Sequence, residues 1–296
     1  MRSLAVFVTL VAMLSVSAAQ DGFQVGDFVK QHLNSIGPEQ ARAAVKNRGV
    51  GGTVSFQIVT GGLGRQDGRQ VLVSEGDKLV SLFQLPNHDY PGERFVSDGK
   101  KAVVAEIKPS VHSPLGEFVL AHSEILTEGL WGGTLSTGWA LAHLDGRLAK
   151  LQDRGLKKVD GHELHQVNYV PKKHSDLQIE LYFEPDTFRH VMTVYSYTAA
   201  PVMSHNWAKD TRQMELHYRL EERFADFKSI DNLTLPSRWT IQFSSDSPGG
   251  LTGYSGKTKV PLSNERASPT EIYQFDVTET SLSHNVQIDP KNFEVK

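Results

Sequence analysis

The stretch "HELHQ", His162 to Gln166, sets two histidines and a glutamate within five residues. A zinc peptidase helix carries H-E-x-x-H, because imidazoles four residues apart share one helical face and reach one metal, with the glutamate as general base. Here His162 and His165 are three apart, Asp160-Gly161 before them is a turn pair, and Val167, Tyr169 and Val170 after them favour a strand. On a strand, odd spacing sends the two rings to opposite faces. They cannot share a metal, and the segment reads as a turn leading into a strand.

The other reactive-looking stretches miss their motifs by definite amounts. "GYSGKT" ends like a phosphate-binding loop, but the first glycine of that loop should stand where Leu251 does. Ser136 in "TLSTG" and Ser255 in "GYSGK" lack the paired glycines that a strained nucleophile elbow requires. Glu184 and Asp186 flank Pro185, where acidic residues serve as turn formers. The 12 histidines are dispersed, so no spacing argues for a metal site, and no catalytic residue, metal ligand or cofactor is expected. One enzymatic alternative stays open, a hydrolase or metal-dependent site assembled from distant strands out of His162, His165, Glu184 and His190.

The elements that would carry such residues can be read from periodicity. Phe28, His32, Leu33 and Ile36 fall at helical spacing over Asp27 to Ser35, and Gly37-Pro38 breaks that helix and starts a second through Val45. From Val50 the period becomes two, and glycine-bearing turns separate short strands at Gln70 to Ser74, Leu79 to Phe83, Arg94 to Ser97 and Ala102 to Ile107. The spacing predicts an antiparallel meander. It is interrupted by "SPLGEFVLAHSEILTEG", with Ser113 as N-cap, Pro114 at the first helical position, a stripe of Leu115, Phe118, Val119, His122, Ile125 and Leu126, and Gly129 as the stop. Strands resume from about Leu156. "LQIELYF" sends Leu177, Ile179, Leu181 and Phe183 to one face, "EPDT" turns it back, and later strands centre on Met214 to Leu220, Trp239 to Phe243, Tyr254 to Val260 and Glu271 to Val277.

The chain opens with one basic residue, Arg2, an apolar run from Leu4 to about Val16, and small residues up to Ala19. That pattern predicts a secretory signal peptide over residues 1–19, because the run is too short to span a bilayer. A periplasmic or secreted location follows for residues 20–296, expected to form a single domain. The chain has no cysteine, and its formal charge of −3 is spread without a block of one sign. Nucleic acid is thereby excluded as a partner, since no backbone-neutralising patch exists.

What remains is apolar surface. One sheet face is apolar along much of the chain, and the Pro114 to Thr127 helix with the Trp131 to Leu144 stretch is available to cover it. Read as core, Phe56, Phe83, Phe118, Trp131, Trp139, Phe183, Trp239 and Phe243 simply fill the interior. Read as function, they line a cleft that admits an acyl chain or an apolar peptide segment, with Trp131 and Trp139 as lid residues beside glycine hinges.

Four segments carry a family likeness: "FVKQHLNSIGPEQARAAVKNRGVGGTV", "VDGHELHQVNYVPKKHSDLQIELYFEPDTFRHVMTVY", "YRLEERFADFKSIDNLTLPSRWTIQF" and "IDPKNFEV". Together they resemble the bacterial LolA-like superfamily of periplasmic lipoprotein carriers, outer-membrane lipoprotein receptors and a periplasmic sensor controlling an anti-sigma factor. The resemblance implies an α+β, mainly β fold of LolA/LolB type, an incomplete barrel made of a curved antiparallel sheet, covered by a few helices around an interior that receives lipid chains. It further implies an exported, non-enzymatic protein that binds an acyl chain, lipid or lipidated protein, with lipoprotein transport across the periplasm and outer-membrane biogenesis as one form of that role. A sensor or structural protein of the same fold, with an envelope protein as partner, is the alternative. Compared with compact carriers, the chain has extra material around Ser196 to Arg212 and Asp246 to Ser268.

Overall fold

The computed structural model describes residues 23–60, 63–88, 90–107, 112–199, 216–246 and 271–295. The expected signal peptide, the strand expected at Tyr254 to Val260, Ser255 and most of the extra material lie outside the described residues.

Two short helices open the described chain, α1 (Val25–Ile36) and α2 (Glu39–Ala44). Phe28, His32 and Ile36 recur every four residues along α1 and are its buried face. The meander follows as β1 (Asn47–Ile58), β2 (Leu63–Glu75), β3 (Lys78–Gln84), β4 (Gly92–Ser97) and β5 (Ala102–Glu106). A helical segment interrupts it with α3 (Pro114–Ala121), α4 (Glu124–Thr127), two 3-10 turns at Gly133–Leu135 and Ala140–His143, and α5 (Leu144–Arg147). Seven more strands follow among the described residues, β6 (Lys150–Val159), β7 (His162–Val170), β8 (Gln178–Phe183), β9 (His190–Ala199), β10 (Leu216–Ile230), β11 (Leu233–Asp246) and β12 (Glu271–His284), and a 3-10 turn at Pro290–Phe293 comes after them.

The twelve strands of the described residues form one antiparallel sheet in the order β5-β4-β3-β2-β1-β12-β11-β10-β9-β8-β7-β6. Every pairing joins neighbours in sequence except β1 with β12, which sits at the sheet's centre. The barrel stays open, because β5 and β6 do not pair and the helical segment runs between those two edges. Laid flat, ten strand-to-strand steps would separate β5 from β7 by roughly 50 Å. Yet α4, four residues long, packs on β4 and β5, while Glu128 at its end accepts a 2.6 Å hydrogen bond from Tyr169 of β7. The sheet is therefore strongly bent, and the helical segment caps its inner side.

Alternation decides which residues face inward. Leu177, Ile179, Leu181 and Phe183 all enter the main core, as their spacing predicts, while Tyr182 packs in a separate small cluster with Met192 and Val194. "HELHQ" does open a strand: Asp160 and Gly161 take positive φ in the hairpin turn, and His162 begins β7. One expectation needs correction. The helix foreseen as continuous from Pro114 to Thr127 breaks at His122 and Ser123, and after the break α4 buries both Ile125 and Leu126. The strands at β10, β11 and β12 also run longer than their apolar centres indicate, because charged residues on the outer side of a sheet hide the alternation.

Candidate functional site

The segment from Gly129 to His143 covers the aromatic inner face and contains no α-helix. Its backbone polar groups therefore lack a regular ladder, and buried groups must still be paired. Several are held by side chains that reach in from the sheet.

Glu222 on β10 is one anchor. It lies on the inward side between Leu220 and Phe224 and is fully buried. Its carboxylate accepts hydrogen bonds from the Gly132 backbone N–H at 2.8 Å, the Tyr195 hydroxyl at 2.8 Å and Trp239 Nε1 at 3.0 Å. Burial pushes its pKa up to about 7, while the three donors pull the other way. Gly132 can present its N–H because it sits at φ 74°, a conformation that side chains disfavour.

Arg48 on β1 is the second anchor, 4% exposed. Its Nη1 donates to the carbonyls of Thr134 at 2.7 Å and Leu135 at 3.1 Å, and its Nε donates to His284 Nε2 at 3.1 Å. Because His284 Nε2 accepts, the proton on that ring is at Nδ1 and points to Asp231 at 2.8 Å. Burial lowers the guanidinium to about 10 and raises the neighbouring Glu279 carboxyl to about 8.

The third anchor is a histidine on α1. His32 Nδ1 donates to the Phe188 carbonyl at 2.9 Å, leaving Nε2 to accept from Trp139 Nε1 at 2.8 Å. Desolvation lowers His32 to about 4 and holds His190, whose ring lies 4.6 Å from that of Trp139, well below its usual value. Both rings are neutral at physiological pH. On the cap's margin, Thr137 N donates to Ser74 Oγ at 2.9 Å, and Arg147 donates to the carbonyls of Thr127 and Gly138.

The start of the cap is fixed differently. Ser113 Oγ caps α3 by accepting from Gly116 N at 2.9 Å. Glu93, buried on β4, accepts from Ser113 N at 2.7 Å and from the Tyr90 hydroxyl at 2.8 Å.

The eight residues expected to line a cleft are all buried in one cluster. Trp131 stacks on Phe95 at 4.8 Å and meets Trp239 edge-on at 5.5 Å; Phe83 lies 6.0 Å from Trp239, and Phe118 lies 5.3 Å from Phe243. Phe56 packs on Phe275 at 4.7 Å, Phe183 on His32 at 5.0 Å, and Trp139 on His190. The lid and sheet aromatics thus fill the space between them. Three polar atoms at this seam are buried without a partner: Trp131 Nε1, Thr134 Oγ1 and His190 Nδ1.

The residues of the enzymatic alternative are not brought together. His165 pairs with Asp153 at 2.7 Å, His162 is exposed at the start of β7, Glu184 sits in the β8–β9 turn, and His190 is deep in the core. Among the described residues no group of three or more histidines and carboxylates could hold a metal ion. Reading the sequence for motifs misses Glu222, Arg48 and Glu93. Their signal is a charged residue at an inward position, between Leu220 and Phe224, two residues before Val50, or two residues before Phe95.

No family model matches this sequence, and no curated protein matches it. Solved structures do. A LolA superfamily protein from Nitrosomonas europaea aligns with TM-score 0.46 at 12% identity, covering 92% of this chain and 98% of its own. A DUF1329 family protein from Desulfovibrio piger gives 0.44 at 12%, covering 91% and 97%. A putative outer membrane lipoprotein-sorting protein domain from Vibrio parahaemolyticus gives 0.44 at 10%, covering 91% and 97%. Over most of its length the chain is similar to LolA superfamily proteins, in fold, and its function has to be argued from its own side chains.

Proposed function

We propose that this is an exported, non-enzymatic protein that takes an acyl chain, free or attached to a lipid or lipoprotein, between its bent sheet and its cap. The observation that carries this reading is the way the Gly129 to His143 segment is held. It covers an aromatic floor, and beyond the short-range bonds of its own turns its backbone is tied to the sheet by Glu222 and Arg48. Such a segment can lift without unfolding a regular element. The closed seam is also imperfect, because each of its three unpartnered polar atoms costs about 1–3 kcal/mol. A sixteen-carbon chain gains on the order of 10 kcal/mol of gross transfer energy, at about 0.8 kcal/mol per methylene, enough to offset opening.

The absence of cysteine allows a clean test. Ser74→Cys with Thr137→Cys places a disulfide where the cap margin touches β2. Oxidised, this variant is expected to lose binding of a fluorescent fatty acid, and to regain it on reduction. Equal binding by the oxidised and reduced forms would show that no cargo enters beneath the cap. Native mass spectrometry of the full chain from an envelope fraction would then name the class of cargo that copurifies.

A further inference from the structure

A groove of about 460 Å³ opens beside the cap, between α2 and the Thr134 to His143 stretch. Its floor reaches Trp139 and Leu233, members of the inner apolar cluster, and Leu33 and Ile36 form its apolar side. Its charged lining is mostly cationic, Arg42, Lys46 and Arg48 against the carboxylate of Glu39, with Thr134, Ser136, Thr137 and His143 as further polar side chains.

Two buried groups in this lining point to an anion. Arg48 is 4% exposed, and its three hydrogen-bond partners, two carbonyls and an imidazole, are all neutral. The one acidic neighbour, Glu279, makes no hydrogen bond to Arg48; a buried cation without a bonded counter-charge is costly, and a bound anion would relieve that cost. Thr134 is 5% exposed, and its Oγ1 has no partner. The groove is thus apolar where it meets the interior, holds a buried cation and an idle hydroxyl in its wall, and is cationic at Arg42 and Lys46 where it meets solvent.

We infer that this groove receives the anionic head of a single-chain amphiphile whose acyl tail runs under the cap. Carboxylate and phosphate heads share the required chemistry. The head also competes for Arg48, which holds Thr134 and Leu135, so its arrival would loosen the segment that the tail must pass. This assignment rests on the acyl-chain reading above and specifies its ligand.

The test uses the full chain and three probes with one sixteen-carbon tail: palmitate, palmitoyl lysophosphatidylglycerol and methyl palmitate, with inorganic phosphate alone as a fourth. Titration calorimetry is expected to show at least one of the charged probes binding tenfold or more tighter than the ester, and whichever is tighter identifies the head as carboxylate or phosphate. In the surface variant Arg42→Gln/Lys46→Gln the advantage over the ester should fall below threefold. Equal binding of ester and charged probes, or an advantage that survives the double substitution, overturns the groove assignment while leaving acyl binding intact. Phosphate alone binding as tightly as the tailed probes reduces the groove to a simple anion site. If no tailed probe binds, the acyl-chain reading fails, and the groove assignment with it.

Discussion

The two parts of the cap are secured by different physics. Helix α3 presents Leu115, Phe118 and Val119 to the core and has its first turn capped by Ser113. The Gly129 to His143 stretch has only 3-10 turns; besides the short-range bonds within it, its backbone is held by side chains of β1, β2 and β10, and its Trp139 ring by His32 of α1. Apolar packing weakens gradually as surfaces part, whereas a hydrogen bond inside an apolar interior is lost within an ångström or so. The first part is therefore a fixed wall, and the second is a door with discrete catches.

The largest test of this contrast is Glu222→Ala. It strands the donors of Gly132, Tyr195 and Trp239 and leaves a cavity, at a cost of about 3–5 kcal/mol in denaturant unfolding. A loss below 1 kcal/mol would mean that the door is held by apolar contact alone. Gly116→Ala probes the wall. Alanine is the better helix former by roughly 1 kcal/mol, yet a Cβ there would lie 2.0 Å from Glu93 Oε1. A net loss of about 2–3 kcal/mol is expected; a gain in melting temperature would show that α3 does not depend on Glu93 for its seat.

Arg48→Gln should act locally, by about 1–3 kcal/mol, the worth of charge-assisted bonds. Hydrogen exchange is the measurement: the amides of Leu135 and Ser136 should exchange faster while those of α3 stay protected. Faster exchange in both parts would erase the distinction between wall and door.

The pH dependence is smaller and has a definite sign. Glu222 and Glu279 titrate near 7 and 8 in the folded chain against 4.5 unfolded, so each makes stability fall as pH rises through that window. His32 and His190 are lowered from 6.5, so each makes stability rise with pH up to 6.5. The two pairs oppose each other between about pH 4.5 and 6.5. From 6.5 to 8 the glutamates act alone, and stability should drop by on the order of 1–2 kcal/mol. Glu222→Gln should flatten the part of that slope nearest pH 7, which equilibrium unfolding at a series of pH values would show. At the bottom of the scale, Leu120→Ala on the outer side of α3, 44% exposed, should change stability by less than about 0.5 kcal/mol.

How legible this was in the sequence follows from the same division. The wall and the strands announce themselves by period: Ser113-Pro114 marks the start of α3, Asp160-Gly161 marks a hairpin, and "LQIELYF" alternates without error. The door does not, because 3-10 turns and loops have no long period, and what orders them is a set of partners 63 to 107 residues away. The bent, open sheet fits the LolA-like expectation, while the eight aromatics are open in sequence to two readings, core or cleft lining, and in the closed molecule they pack on one another. No property of Trp131 or Trp139 taken singly distinguishes a residue that lines a space from one that fills it.

The placing of β1 against β12 has a consequence for how the molecule is made. Arg48 bonds to a histidine 236 residues further along, and the strands that carry them form the middle of the sheet. Contacts so distant in sequence slow folding, since the long loop must close before they yield any energy. Until the last strand has left the ribosome, β1 lacks its central neighbour, and the early half of the chain remains an incomplete sheet.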